Sequence, residues 1–202
     1  MLLAIDTSAG TSVAVVDREA GILSEFASAD TRGHAEIVGE FIDQALKQAG
    51  IAVTDLSGVV AGMGPGPFTG LRVGIAAARA FAFGAGRPVI PVVSHDAIAW
   101  GATDPILVAT DARRRELFFS LYGGTDEAGL PIHVSGPSLV AATELDVPDG
   151  YRLVRAEQVS AASLGLVAEA MYAHRRAFAP DTALYLRSPD VTPSAGPKRV
   201  TS

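Results

Sequence analysis

The sequence predicts an α/β protein built as two related lobes, and three observations lead there. The first is order: three strand-like runs precede a regular alternation of helical and strand-like segments. The second is repetition, because a shorter version of the same succession begins after Asp104. The third is composition: 202 residues, 49% of them hydrophobic, supply enough apolar side chain for a core in each lobe.

Residues 2–5, 11–16 and 21–27 are short apolar or β-branched runs separated by turn residues, and they read as three successive strands. From His34 the period changes. Ile37, Val38, Phe41, Ile42, Ala45, Leu46 and Ala49 recur at helical spacing opposite Glu36, Glu40, Asp43, Gln44 and Lys47, with Gly50 as the stop. A strand at 58–62, a Gly/Pro loop, a helix over about 68–83, a strand at 89–93 and a short helix from Ser94 complete the order βββαβαβα. The second copy reads as strands at 106–110, 116–122, more weakly 132–135, and 151–154, closed by a helix over 161–177. The expected domains are therefore 1–103 and 104–188, and 189–202, with Pro193, Gly196 and Pro197, reads as a disordered tail.

Charge and composition narrow the function. A net charge of −6 and a pI near 5.1 speak against a free-standing nucleic-acid binder, whose affinity needs Lys and Arg on the phosphates. With no cysteine, thiolate zinc sites, disulfides and cysteine nucleophiles are excluded, and a reducing cytoplasm is the compartment that fits. No apolar run is long enough to span a membrane, and the start lacks a basic leader, Asp6 interrupting the apolar run.

Two glycine-containing stretches carry the candidate chemistry. In GMGPGPFTGLRVG, residues 62–74, a Walker loop would require a lysine that is missing, and Thr69 stands where a dinucleotide fingerprint needs its third glycine. Two readings remain: an anion held at the N-terminus of the following helix, or Gly64 and Gly66 permitting tight backbone with Pro67 near the first helical turn. Composition favours the second. In AIDTSAGTSVAVVD, residues 4–17, Asp6, Thr7, Ser8 and Gly10 fit loosely the turn with which the actin and sugar-kinase fold holds metal-bound phosphate, or else form a polar β-turn. Asp6, Thr7, Ser8, Gly64 and Gly66 are thus the candidate nucleotide residues.

The helix over 68–83 is apolar nearly all round. Its polar side chains, Thr69, Arg72 and Arg79, share one stripe, opposite Gly70, Gly74, Ala77 and Phe81. Such a helix must be covered on two sides, by its own sheet and by either another segment of the chain or a partner. Catalytic signals are sparse: the four histidines show no metal-ligand spacing, His95 with Asp96 reads as a surface pair, and no Gly-x-Ser-x-Gly elbow surrounds a serine. DARRRELFFSLY, residues 111–122, places three arginines in a turn, as a grip for an anion, a partner carboxylate or RNA phosphate, or as a solvated hairpin tip.

LLAIDTS, GMGPGPFTGLRVGIAAARAFAFG, DARRRELFFSLY and LYLR (184–187) together resemble the TsaB (YeaZ) family over residues 1–187. The resemblance implies an actin-like (ASKHA) fold of two ribonuclease-H-like lobes, the second shortened. It implies a non-catalytic subunit that supports the catalytic TsaD subunit, with the TsaE ATPase, in forming threonylcarbamoyladenosine in tRNA next to the anticodon. It further implies tRNA contact through the complex, a possible homodimer, no cofactor held tightly by this chain alone, and ATP at the complex interface. TsaD carries a metal-binding His-x-x-x-His segment after the strand equivalent to 89–93, where this sequence reads VSHDAIAW with His95 alone. The family pairs through helices equivalent to 34–49 and 68–83, which makes Ile37, Phe41, Gly70, Leu71, Gly74, Ile75, Ala78 and Phe81 the expected contacts. The alternative is an independent ATP-binding enzyme of the actin/sugar-kinase fold. The short second lobe, the compact loop at 123–129, and Lys198 and Arg199 in the tail depart from the family pattern.

Overall fold

Strand β1 (Leu2–Asp6) is buried along its whole length, and that burial organises the first lobe of the computed structural model, which describes residues 1–30 and 33–187. A strand apolar on both faces needs cover on both. It pairs antiparallel with β2 (Thr11–Asp17) and parallel with β4 (Gly58–Gly62); β3 (Gly21–Ser28) and β5 (Val89–Val92) form the edges, giving the order β3-β2-β1-β4-β5. Helices α1 (His34–Ala49) and α2 (Phe68–Ala85) cover one face, where Leu3, Ile5, Val13 and Val59 meet Val38, Leu71, Ile75 and Ala78. The other face, with Leu2, Ala4, Val16 and Val60, is covered by α4 (Ala161–Ala173), with α3 (Ser94–Ala99) contributing Ala97.

The second sheet repeats the first in shortened form. Strands β6 (Ile106–Asp111), β7 (Glu116–Thr125), β8 (Pro131–Ala141) and β9 (Arg152–Ala156) lie in the order β8-β7-β6-β9, the pattern of β3-β2-β1-β4 without a fifth strand. As β1 pairs antiparallel with β2 and parallel with β4, so β6 pairs antiparallel with β7 and parallel with β9. The mixed α/β architecture is that of the actin-like fold.

Two differences from expectation have physical causes. Strand β8 runs on through Gly136 and Pro137 instead of ending at 135, because it is an edge strand and a proline there costs no ladder bond on its free side. Helix α4 ends at Ala173 rather than 177: Arg175 adopts φ 53°, and the Arg175 and Arg176 amides bond back to the Tyr172 and Met171 carbonyls, closing the helix without the glycine that usually marks this turn. At α1 and α2 that glycine is present, as Gly50 (φ 68°) and Gly86 (φ 62°), the latter extending α2 to Ala85.

The helix expected to close the second lobe lies instead across β1 and β2 of the first. Gly165 allows this approach, because a Cβ there would meet the Val16 side chain at 2.6 Å. The last helix of the expected second lobe thus packs on the first sheet. The expected tail at 189–202, with Lys198 and Arg199, lies outside the described residues. No described helix is long and apolar enough to cross a membrane.

Candidate functional site: the cleft between the lobes

Asp6 ends β1 facing inward, fully buried, with three donors on its carboxylate. The Ser8 amide and hydroxyl donate to Oδ1 at 2.7 and 2.6 Å, and the Ser94 hydroxyl donates to Oδ2 at 2.5 Å. Ser94 Oγ in turn accepts from the Gly64 amide at 3.0 Å. Burial raises the Asp6 pKa, outweighing the hydrogen bonds that favour the ionised form.

Thr7 points the other way, into α2. Its hydroxyl donates to the Gly70 carbonyl at 2.6 Å and accepts from the Gly74 amide at 2.8 Å, bridging the two groups that a helix ordinarily pairs with each other. Neither glycine can carry a side chain freely: a Cβ on Gly74 falls inside van der Waals contact with Thr7 Oγ1, and one on Gly70 meets the His34 ring at 2.9 Å. His34 is itself held by Thr11, Nδ1 to Oγ1 at 2.7 Å, and burial lowers its pKa.

The glycine loop after β4 lies directly on the β1–β2 turn. A Cβ on Gly66 would sit 2.8 Å from the Ser8 backbone, and one on Gly62 would overlap the Asp6 carboxylate. The five candidate nucleotide residues are therefore brought together, but the two turns that would have to bracket a phosphate pack on each other.

Helix α3 joins the lobes through three consecutive residues. Ser94 bonds Asp6 of the first lobe. His95, with no exposed surface, places Nδ1 2.8 Å from Ser120 Oγ and Nε2 3.0 Å from Thr110 Oγ1, both in the second sheet. Asp96 Oδ1 accepts from the Tyr122 hydroxyl at 2.7 Å. The expected surface pair is thus an interior bolt, because α3 is wedged against β6 and β7. Desolvation, with a smaller contribution from His133, lowers the His95 pKa to about 3, so the ring is neutral, one nitrogen donating and one accepting. A lone imidazole with both nitrogens spent does not fit a metal ion, and among the described residues no group of three His, Asp or Glu is placed to hold one. Thr110, Ser120 and Tyr122 are functional contacts that sequence reasoning missed; their signal is a set of polar residues at inward positions of otherwise apolar strands.

Around the α2 N-terminus the cleft opens into three adjoining cavities of about 330, 340 and 270 Å³, all lined by Pro67 and Arg113. Residues from all four quoted motifs meet there: Ser8, Phe68, Phe118 and Tyr185 are among the lining. No side chain caps α2, so its first amides face this space. The Asp111–Glu116 turn forms the opposite rim with Arg113, Arg114 and Arg115 at φ 66°, 54° and 63°, a left-handed run costly for residues with a Cβ. Arg113 folds back to Asp111 at 3.5 Å.

Residues 7–187 match the family described as TsaD: tRNA N6-adenosine threonylcarbamoyltransferase. The chain belongs to this family. Among its relatives are proteins named TsaB, similar over part of their length. A tRNA threonylcarbamoyladenosine biosynthesis protein TsaB of Haemophilus influenzae is 38% identical over 126 residues, covering 59% of this chain and 52% of that protein. An uncharacterised protein of Mycobacterium tuberculosis is 38% identical over 202 residues, covering 96% of this chain and 95% of its own. The structure titled YeaZ from Pseudomonas aeruginosa superposes with a TM-score of 0.73 at 23% identity, covering 92% of this chain and 99% of that one, which shows the fold.

The contacts expected from TsaB resemblance divide in two. Gly70, Leu71, Gly74, Ile75 and Ala78 face the chain's own sheet and β1–β2 turn and are buried, so they offer no surface to a partner. Ile37, Phe41 and Phe81 are half-buried, and Phe41 and Phe81 pack against the α1–α2 side of the core. The outward residues of α2 are Arg72, Ala76, Arg79, Ala80 and Phe83, the last 91% exposed.

Three measurements test this geometry. Gly74→Ala is expected to destabilise the fold by about 2 kcal/mol, from overpacking and loss of the Thr7 bond, whereas Gly84→Ala, with open space around it, should stabilise by about 0.5–1 kcal/mol through helix propensity. Equal shifts in urea unfolding would contradict the account. Arg115→Gly should gain about 0.5–1 kcal/mol by relieving its left-handed conformation, read from the same titration. For His95 the unfolded ring takes up a proton below its ordinary value while the folded ring resists until about pH 3. Its contribution is therefore intact above pH 6.5 and lost as pH falls, by about 2 kcal/mol between pH 7 and 5. The raised Asp6 and Asp96 act in the opposite sense, since above their ordinary value the folded state binds the extra proton. The difference between wild type and His95→Gln isolates the imidazole; parallel pH–stability curves would refute it.

Proposed function

We propose that this chain is a non-catalytic subunit of a tRNA threonylcarbamoyltransferase complex. It supports a TsaD-type catalytic subunit, works with a TsaE-type ATPase, and meets tRNA through the assembly in the cytoplasm. The observation that carries the reading is His95. Where TsaD carries His-x-x-x-His, this chain has one imidazole, buried and with both nitrogens hydrogen-bonded to hydroxyls of the second sheet. Lewis-acid activation by a seated ion needs free ligands, and this ring offers none.

The same packing argues against a nucleotide held by this chain alone, since Asp6 is saturated and Gly66 rests on Ser8. An ATP-binding role falls instead to the complex interface. Docking uses the exposed side of α2, beside α1, where an exposed phenylalanine stands among alanines and two arginines. An aromatic next to arginine is the side-chain pairing enriched at binding hot spots. The same surface on a second copy would account for a homodimer.

Calorimetry with a purified TsaD-type subunit tests the reading. Phe83→Glu is expected to weaken binding at least tenfold without lowering Tm, because Phe83 contributes little to the monomer core. The isolated chain is expected to leave tRNA unmodified. Modification by the chain without partners would overturn the proposal.

A further inference from the structure

The LYLR stretch at 184–187 belongs to a segment that follows α4 and has no helix or strand of its own, yet it touches both lobes. It starts at the edge of the first sheet, where the Ala179 amide donates to the Pro91 carbonyl at 3.2 Å. It then crosses the outside of α2: Asp181 pairs with Arg79 at 2.7 Å, and the Leu184 amide donates to the Met63 carbonyl at 2.8 Å. Tyr185 accepts from Arg72 Nε at 3.0 Å and lies 4.8 Å from the Phe68 ring, over which the Arg72 guanidinium stacks at 3.6 Å. Arg187 then reaches the second sheet and pairs with Glu116.

We infer that residues 178–187 form a clasp between the lobes, which closes one wall of the cleft and opens as a unit. Two features point to a clasp rather than a packed element. Beneath it runs a groove of about 550 Å³, lined by Ile75 and Ala76 of α2 and by Thr182 and Ala183, so the segment lies over an open space and is held at separate points, Ala179, Asp181, Leu184, Tyr185 and Arg187. Its side-chain anchors are also partly solvated: Asp181 is 61% exposed, Tyr185 42%, and the Arg187 and Glu116 side chains 28% and 32%. Ion pairs in such positions contribute little individually and weaken with salt. The segment therefore stays in place through the linkage of several small contacts, and loss of one end releases the rest.

The clasp gates access to the site described above. Tyr185, Leu186 and Arg187 form one side of the cavity of about 330 Å³ whose other sides are the α2 N-terminus and the arginine turn. Opening removes that side, uncovers Phe68 and the uncapped first turn of α2, and frees Arg72 from the tyrosine. It also cuts the Arg187–Glu116 link between the lobes while the interior links through α3 stay intact. The inference rests on contacts within the chain alone, although Arg72 and Arg79, which the segment engages, also lie on the α2 face proposed for docking.

Hydrogen exchange of the full chain, followed by mass spectrometry, tests it. In the wild type the peptide covering 178–187 is expected to be protected, chiefly at the Ala179 and Leu184 amides. Both Tyr185→Ala and Arg187→Gln should speed its exchange at least tenfold along its whole length and loosen residues 68–72, with α4 and β1 unchanged. If Tyr185→Ala fails to fold, Arg187→Gln alone makes the same measurement. Wild-type exchange at the rate of free chain would overturn the inference. So would a response to Arg187→Gln confined to its own neighbours, because a clasp held cooperatively cannot loosen at one end only.

Discussion

A buried carboxylate without a cation beside it is costly, and much of the molecule is arranged around Asp6. Its three donors come from its own turn and from the start of α3, and the α3 donor, Ser94, is itself oriented by the amide that follows Met63. One group thus sets the mutual position of the β1–β2 turn, the loop after β4 and the helix that links the lobes. Gly62 is part of the same arrangement, since any side chain there would overlap the carboxylate. Replacing the carboxylate would leave Ser8, Ser94 and the Gly64 amide to find new partners in a space without water, so the effects would reach all three segments.

The glycine pattern takes its meaning from that arrangement. Gly62, Gly66, Gly70 and Gly74 recur every fourth residue, and each receives a neighbouring part of the chain: Asp6, Ser8, His34 with the Thr7 carbonyl, and the Thr7 hydroxyl. A phosphate loop uses glycine so that a ligand can approach the backbone. Here the visitor is another turn of the same protein. The residues that resemble a nucleotide cradle are those at which two turns of the same chain approach each other.

The sequence made the fold legible to within a few residues wherever one physical signal dominated. The strand runs of the first lobe, the apolar period of α1 with Gly50 behind it, and the repeated strand order all read correctly because packing and local propensity agree there. It misled where local signals were neutral. Arg175 ends α4 in a conformation that sequence assigns to glycine, and the destination of α4 depends on the open face of the first sheet, which no local pattern reveals. The site was legible as a set of motifs but not as an arrangement. Gly70 and Gly74 looked like a groove for a partner helix, because nothing local shows that Thr7, more than 60 positions earlier, inserts its hydroxyl there. His95 looked exposed because neighbouring polar residues usually are. Its burial follows from Thr110 and Ser120, one on each of two paired strands, offering hydroxyls to both ring nitrogens.

Rigidity in the middle and looseness at the rim follow from where the polar contacts lie. Ser94, His95 and Asp96 are consecutive yet bond to opposite lobes, so the lobes cannot rotate about α3 without breaking hydrogen bonds, those of Ser94 and His95 fully buried. Such bonds are costly to lose unreplaced. The contacts at the edge of the cleft are of another kind: the arginine turn is strained and the segment beyond α4 is tied by solvated side chains. Motion is therefore confined to surface segments while the two sheets keep a fixed relation. The proposed supporting role, in which one helix face is held in a constant orientation, gains from that division.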